Sequence, residues 1–563
     1  MNRIVLLVGV LLLLCAGVGA AVGLGLFGTV PAPVAKAPEE PATAPPQGGE
    51  PAGDSAVKPE AVLKGEGAGE PKAGAVSLAN TGVSNQAPAS PLAPPCEKWA
   101  TPSAAILLSG EQNGSIEPCG CSLVQLGGMS RRMDLHKLLA DRGWPVLGFD
   151  LGGTLNAKRA TRAQSKLKFE TTLAGLKEMK YGALALGRQE LSLGLDLVSY
   201  HNPDELPFLS ANASIYPPEL NLPLKSRVFE IGGVKIGVTA VIGDQLREEI
   251  TPKVPIPADQ RVGGEIDIGP AAEAVSALMP ALEAEKCDLL ILLSHGTPEE
   301  AAVLSGQFPQ FHLVVTAGGP EDPDPRPKKV GDALVVSVGQ KGKHAGVVGV
   351  YPSASASERI KFELVDLDKD RFPGAERMND LMRLYQDQLK DRNLAGTEPA
   401  VPHPTGDKYV GAKVCGECHT KAFDTWKKSK HSHGLDSLEK GRKGYEATWI
   451  SRVFDAECLA CHVTGWNPQD VLRYESGFTS LAETPHLAGQ QCENCHGPGE
   501  RHSNLELAAK GRVTKAVLAE RKAMYVDLNT VEIKVCTKCH DGDNSPGWNF
   551  QKYWAQVRHV GRD

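Results

Sequence analysis

Four Cys-x-x-Cys-His motifs fall between Cys415 and His540, and no other feature of the 563-residue chain constrains it so tightly. They are Cys415-Gly-Glu-Cys418-His419, Cys458-Leu-Ala-Cys461-His462, Cys492-Glu-Asn-Cys495-His496 and Cys536-Thr-Lys-Cys539-His540. Two thiols three residues apart share one face of a helical turn, and the next residue places an imidazole beside them. That spacing lets the thiols form thioethers with the two vinyl groups of one haem while the imidazole sits beneath the iron. Zinc is the competing use, since four Cys-x-x-Cys pairs could build two Cys₄ sites. Zinc has no need of a histidine directly after every pair, and a thioredoxin-like redox motif would need a βαβ pattern that is missing here. The motifs imply four covalent c-type haems, attached at Cys415, Cys418, Cys458, Cys461, Cys492, Cys495, Cys536 and Cys539. His419, His462, His496 and His540 are the proximal iron ligands.

Residues 406–563 have long loops and few Leu, Ile or Val runs. A mostly α-helical, loop-rich domain is predicted, in which porphyrin supplies the missing apolar surface and without which it does not fold. Second axial ligands must come from outside the motifs, where His403, His431, His433, His486, His502 and His559 are the candidates. His431 and His433 follow Trp426 on a predicted helix, His502 follows the Gly497-Pro498-Gly499 turn, and His559 lies on the last helix after Tyr553-Trp554.

The run Trp426-Lys-Lys-Ser-Lys-His431, Cys461-His-Val-Thr-Gly465, Gln491-Cys-Glu-Asn-Cys-His-Gly-Pro-Gly-Glu-Arg-His502 and Ser545-Pro546 after the last motif resembles the tetrahaem cytochrome c-554 family. The resemblance implies three haems with two histidines each and one five-coordinate haem, tied to the second motif with Cys458, Cys461 and His462. Carried over, His431 and His502 are distal ligands and His559 is a third. The resemblance assigns no role to His403, His433 or His486.

The rest of the chain is organised differently. Ile4–Val30 carry no charge and follow Arg3, so residues 1–30 read either as a signal peptide or as a membrane anchor. Residues 31–95 hold 13 prolines and no aromatic, and 31–100 read as a disordered Pro/Ala-rich linker. From 101 to 370, apolar runs at Ala105–Leu108, Val146–Asp150, Ala183–Leu186, Val234–Val241, Leu289–Leu293, Leu313–Thr316, Leu334–Val338 and Gly346–Val350 read as strands. Ser130–Asp141, Arg162–Met179, Pro270–Ala284 and Pro298–Ser305 read as helices, so the class is layered α/β. A connector helix and hinge fill 371–405, with Met378, Leu381, Met382, Leu384, Tyr385 and Leu389 on its apolar face.

Leu108-Ser-Gly-Glu-Gln-Asn-Gly, Gly127-Gly-Met-Ser-Arg-Arg132, Asp150-Leu-Gly-Gly-Thr-Leu155, Leu186-Gly-Arg-Gln-Glu190, Ser210-Ala-Asn-Ala213, Ser294-His-Gly296 and Ala317-Gly-Gly-Pro320 resemble the motifs of the UshA-like 5′-nucleotidases, a calcineurin-type metallophosphatase family. That family holds two cations with oxygen and imidazole donors. Here the first-motif positions are Glu111 and Asn113, the bridging Asp position is Gly153, and the Asn-His pair is Arg188-Gln189. The last motif reads Gly319-Pro320-Glu321-Asp322, so only His295 remains as an imidazole donor. A domain without phosphoesterase activity, acting as scaffold or as a partner- or ligand-binding module, is the expectation, with no metal assigned to it. Cys96, Cys119, Cys121 and Cys287 would form one or two disulfides in an oxidising compartment, or Cys119 and Cys121 a soft-metal site.

The net charge is −7, which excludes a globally basic nucleic-acid binder. The function expected is electron transfer by an exported multihaem cytochrome, periplasmic or otherwise extracytoplasmic and anchored to the inner membrane if the leader is retained. Its partners are redox proteins, and the lysines 421, 427, 428 and 430 offer either a docking face or a solvated helix side. The alternatives are a reductase of a small nitrogen or oxygen species at an open haem and a nucleotide phosphohydrolase fused to a cytochrome.

Overall fold

The central strands are apolar throughout because both of their faces are buried. In the computed structural model, which describes residues 92–118, 125–159, 162–251, 265–355, 358–441, 446 and 449–559, twelve strands form two six-stranded sheets. They are β1 (Ala104–Ser109), β2 (Val146–Asp150), β3 (Tyr181–Ala185), β4 (Phe208–Leu209), β5 (Ser226–Ile231), β6 (Val234–Ile242), β7 (Leu289–His295), β8 (Leu313–Thr316), β9 (Lys328–Val330), β10 (Ala333–Ser337), β11 (His344–Val350) and β12 (Ile360–Asp366). The first sheet runs β12-β11-β1-β2-β3-β4 and the second β9-β10-β8-β7-β6-β5. β1 to β4 are parallel, as are β6, β7, β8 and β10, and antiparallel strands close the edges.

Alternation along each strand assigns its side chains to layers. Ile106 and Leu108 of β1 meet Ile236, Val238, Ile291 and Leu293 between the sheets. Ala105 and Leu107 point the other way, toward α1 (Met129–Asp141), α2 (Ala163–Glu178) and α5 (Glu376–Arg392), with Leu135, Phe169 and Met382. Leu290, Leu292 and Val314 of the second sheet pack on α3 (Ala271–Ala284) and α4 (Pro298–Gln307). The result is a four-layer α/β/β/α sandwich, and the carboxyl ends of the parallel strands gather Ser109, Asp150 and, past β3, Glu190 in one sheet and His295 in the other.

Three sequence expectations are corrected here. The stretch read as linker to residue 100 already packs on the sandwich: Cys96 is buried, Arg142 donates to Pro95 O at 2.6 Å, and Trp99 stacks on Trp144. Leu384, placed on the apolar face of the connector helix, is 53% exposed, while Gln386 takes a buried position instead. Cys96 and Cys287 are both free, so no disulfide joins them. Residues 1–30, most of the linker, Cys119 and Cys121 lie outside the described residues. Among the described residues no helix is long and apolar enough to cross a membrane.

The C-terminal part is a set of short helices within the same compact unit. Its buried apolar cluster surrounds the second motif, with Leu435, Leu438, Leu459, Trp466, Phe478 and Leu487. Farther along, Leu507, Val513, Tyr525, Leu528 and Ile533 are all more than half exposed.

Candidate haem site

Each motif folds as one helical turn. His419 N donates to Cys415 O at 2.9 Å and His540 N to Cys536 O at 2.9 Å. The second and third motifs lie in the helices Ala456–His462 and Cys492–His496. Both thiols and the following imidazole therefore emerge from one turn, as thioether attachment and ligation by one haem require.

Three motif histidines face a second histidine from a distant part of the chain. His419 lies opposite His502 with ring centroids 6.3 Å apart, His540 opposite His431 at 6.1 Å, and His496 opposite His559 at 6.0 Å. Two imidazoles bound to one metal at about 2 Å each have centroids roughly 6 Å apart. The spacing thus fits an iron between each pair. No histidine ring is paired with His462 among the described residues.

Hydrogen bonds fix the orientation of four of the rings. His462 Nδ1 lies 2.8 Å from Gly434 O, His496 Nδ1 2.7 Å from Met524 O, His540 Nδ1 3.1 Å from Ser545 Oγ, and His559 Nδ1 2.9 Å from Val557 O. A donor role for Nδ1 leaves Nε2 with its lone pair, the arrangement a ligating imidazole uses. Burial favours the neutral ring: His431 is pushed down to about 4, helped by neighbouring His540 and His462, and burial also lowers His462, His496 and His540.

The same electrostatic influences show which motifs are neighbours. Cys415 and Cys492 bear on each other, so the first and third motifs adjoin. Cys536 bears on Cys495, and His462 bears on both His540 and His431, which links the third motif to the fourth and the fourth to the second. His403 and His433 have other side-chain neighbours. His403 packs on Tyr409 and Tyr474, with Nδ1 2.8 Å from Thr405 Oγ1. His433 is 67% exposed beside Asp436, and His486 accepts from Gln491 Nε2 through its backbone carbonyl. Lys421, Lys428 and Lys430 line a groove of 540 Å³ with Gln556 of the last helix, Phe550–Val557, which ends before His559 rather than carrying it as the sequence suggested.

At the carboxyl edge of the sheets the donor set does not fit a two-cation centre. Asp150 accepts from Ser109 Oγ at 2.5 Å, and Arg132 Nη1 donates to that hydroxyl at 2.8 Å. Glu190 is consumed by the backbone amides of Gly153, Thr154 and Gly187. Glu321 pairs with Lys341 and Lys343, and Asp322 with His344. Glu111 and His295 remain, 3.4 Å apart, with His295 Nδ1 on Leu151 O. A Cβ at Gly153 would collide with Glu111 Oε1, so the glutamate already fills the space that a side chain at 153 would need. Burial raises the Glu111 carboxyl above its ordinary range, with His295 opposing that shift. Gly153→Asp is therefore expected to cost about 1–3 kcal/mol through overpacking, read as a lower urea midpoint of the β-rich transition, since Gly153 also sits at φ +71°.

The residues that sequence reasoning missed join the two parts: Gln164, Lys168 and Gln386 on the sandwich, Asp455 and Glu457 on the second motif. Asp455 before an apolar-periodic run carries an N-cap signal; the glutamines and lysine on amphipathic helices carry none.

The family described as cytochrome c554 and c-prime matches residues 414–497. Cytochrome c-554 of Nitrosomonas europaea is 27% identical over 157 residues, 26% of this chain and 62% of that protein. Multiheme cytochrome MtrA of Shewanella baltica is 27% identical over 92 residues, 16% of this chain and 25% of that protein. The chain thus spans less than two thirds of either relative. Among solved structures, the 5′-nucleotidase precursor of Thermus thermophilus is similar at 16% identity and a TM-score of 0.42, covering 60% of this chain and 66% of that one. Residues 414–497, which hold the first three motifs, are accordingly similar to the cytochrome c554 and c-prime family, and they follow an α/β sandwich.

Proposed function

We propose that the chain is an exported electron carrier with four covalent c-type haems. The carrying observation is the set of three histidine pairs at 6.0–6.3 Å, each joining one motif histidine to one outside the motifs. Cys415/Cys418 with His419 and His502, Cys492/Cys495 with His496 and His559, and Cys536/Cys539 with His540 and His431 would hold three six-coordinate haems. Cys458/Cys461 with His462 would hold a five-coordinate one. Bound in these sites, haems supply one-electron redox chemistry at closely neighbouring centres. The chain fixes their spacing and orients the imidazoles of His462, His496, His540 and His559 through Nδ1, which sets their basicity as ligands. The uncharged run 4–30 supports delivery to an extracytoplasmic compartment. The sandwich serves as scaffold without phosphoesterase activity, a reading supported by the committed partners of Asp150, Glu190, Glu321 and Asp322.

Intact-mass measurement of the purified protein tests the haem count, with four haem additions expected. Electron paramagnetic resonance of the oxidised protein is expected to show low-spin and high-spin haem in a ratio of three to one. A bare polypeptide mass or the absence of a Soret band would overturn the reading. That no histidine ring faces His462 among the described residues favours a second reading, in which the open iron reduces a small nitrogen or oxygen species. Purely low-spin spectra and no nitric oxide binding would remove it.

A further inference from the structure

The second-motif helix, Ala456–His462, is built directly into the sandwich. Asp455 caps it by accepting from Glu457 N at 3.0 Å. The same carboxylate accepts from Gln164 Nε2 of α2 at 2.7 Å and from Gln386 Nε2 of α5 at 3.0 Å. Gln164 also donates to the Tyr385 hydroxyl at 3.0 Å, and all four side chains are buried. Glu457, the residue before the attachment cysteine Cys458, pairs with Lys168 Nζ at 2.5 Å and Arg159 Nη2 at 3.2 Å. Lys168 is additionally held by Gly114 O at 2.8 Å, and its side chain is 10% exposed. The fourth motif also meets the sandwich, through Lys341 and Asp543, but Asp543 is 49% exposed and water screens that pair.

We propose that Lys168 and Arg159 are positioning residues for the second-motif haem: they hold its helix and neutralise the Glu457 carboxylate beside Cys458, raising the midpoint potential of that haem alone. The proposal rests on the haem reading above. A negative charge next to an iron disfavours the arrival of an electron, and in a largely desolvated interface its reach is greater than in water. Removing Lys168 leaves Glu457 partly uncompensated at the one haem whose open position makes its potential matter most.

The test is spectroelectrochemistry of the full-length holoprotein at pH 8, following the high-spin and low-spin haems separately. In Lys168→Met the reduction equilibrium constant of the high-spin haem is expected to fall about tenfold, which is about 59 mV for one electron. The low-spin midpoints stay where they are. Lys168→Arg restores the parent value, and the double variant Lys168→Met/Glu457→Gln, which removes both charges, returns toward it. An unchanged high-spin midpoint, an equal shift at every haem, or a double variant as displaced as the single one would overturn the proposal. A parent protein lacking haem at Cys458 and Cys461 by peptide mass is a different failure, of the underlying haem reading, and is detected before any variant is made.

Discussion

Replacing the eight motif cysteines with serine is expected to leave the C-terminal part unfolded while the sandwich keeps its structure. The sandwich owns three buried apolar clusters, between and outside its sheets, and none needs a residue beyond the connector helix except Ile450 and Phe454 at the margin. Among the described residues the C-terminal part has one cluster, confined to the surroundings of the second motif. Around the other motifs the apolar side chains have little protein to pack on: Val513 is 62% exposed, Tyr525 69% and Ile533 76%. Short helices such as Cys492–His496 cannot persist alone, because nucleation costs more than one turn returns. Covalently held porphyrin would supply that surface and tie distant segments through paired imidazoles. Limited proteolysis of the octuple variant should therefore give a stable fragment ending near the connector helix. Far-ultraviolet circular dichroism should lose helical signal while keeping its β component. A variant that resists protease through residue 557 and retains its helical signal would show that the polypeptide folds without haem.

The contrast between what the sequence showed and what it hid follows from locality. Strands β2 and β8 were legible to their ends, Val146–Asp150 and Leu313–Thr316, because burial on both faces makes a run continuously apolar. β12 was not, since Ile-Lys-Phe-Glu-Leu-Val-Asp alternates at a sheet edge and no neighbour covers one of its sides. β4 was missed because two residues carry no periodicity. The haem motifs were legible because five consecutive residues make one turn. Which histidine faces which motif is a different kind of fact. His431 follows the first motif in sequence yet lies opposite His540 of the fourth, and His502 follows the third yet lies opposite His419 of the first. Topology sets those pairings. The interface at Asp455 was hidden for the same reason: Gln164 and Gln386 differ from surface glutamines only in what the fold brings against them.

His431→Ala is expected to double the high-spin fraction of the oxidised protein, from one haem in four to two. The imidazole of His431 lies 6.1 Å from that of His540, and Gln490 N holds its backbone carbonyl at 3.0 Å. Alanine leaves the backbone free to keep that bond while removing the ligand. The iron at Cys536 and Cys539 would then retain His540 alone, whose Nδ1 stays on Ser545. Because His462 lies near enough to influence His431 and His540, the two open haems would be neighbours. Carbon monoxide binding by the reduced protein should rise from one equivalent to two. Added imidazole should restore the low-spin spectrum, which separates a lost ligand from a damaged fold. His433→Ala is the control, since His433 is exposed and engages Asp436, and its spectra should match the parent. An unchanged spin ratio in His431→Ala, or the same change in His433→Ala, would mean that the fourth-motif iron takes its second ligand from elsewhere. The pairing of His431 with His540 would then be a contact of two rings with no ligand role.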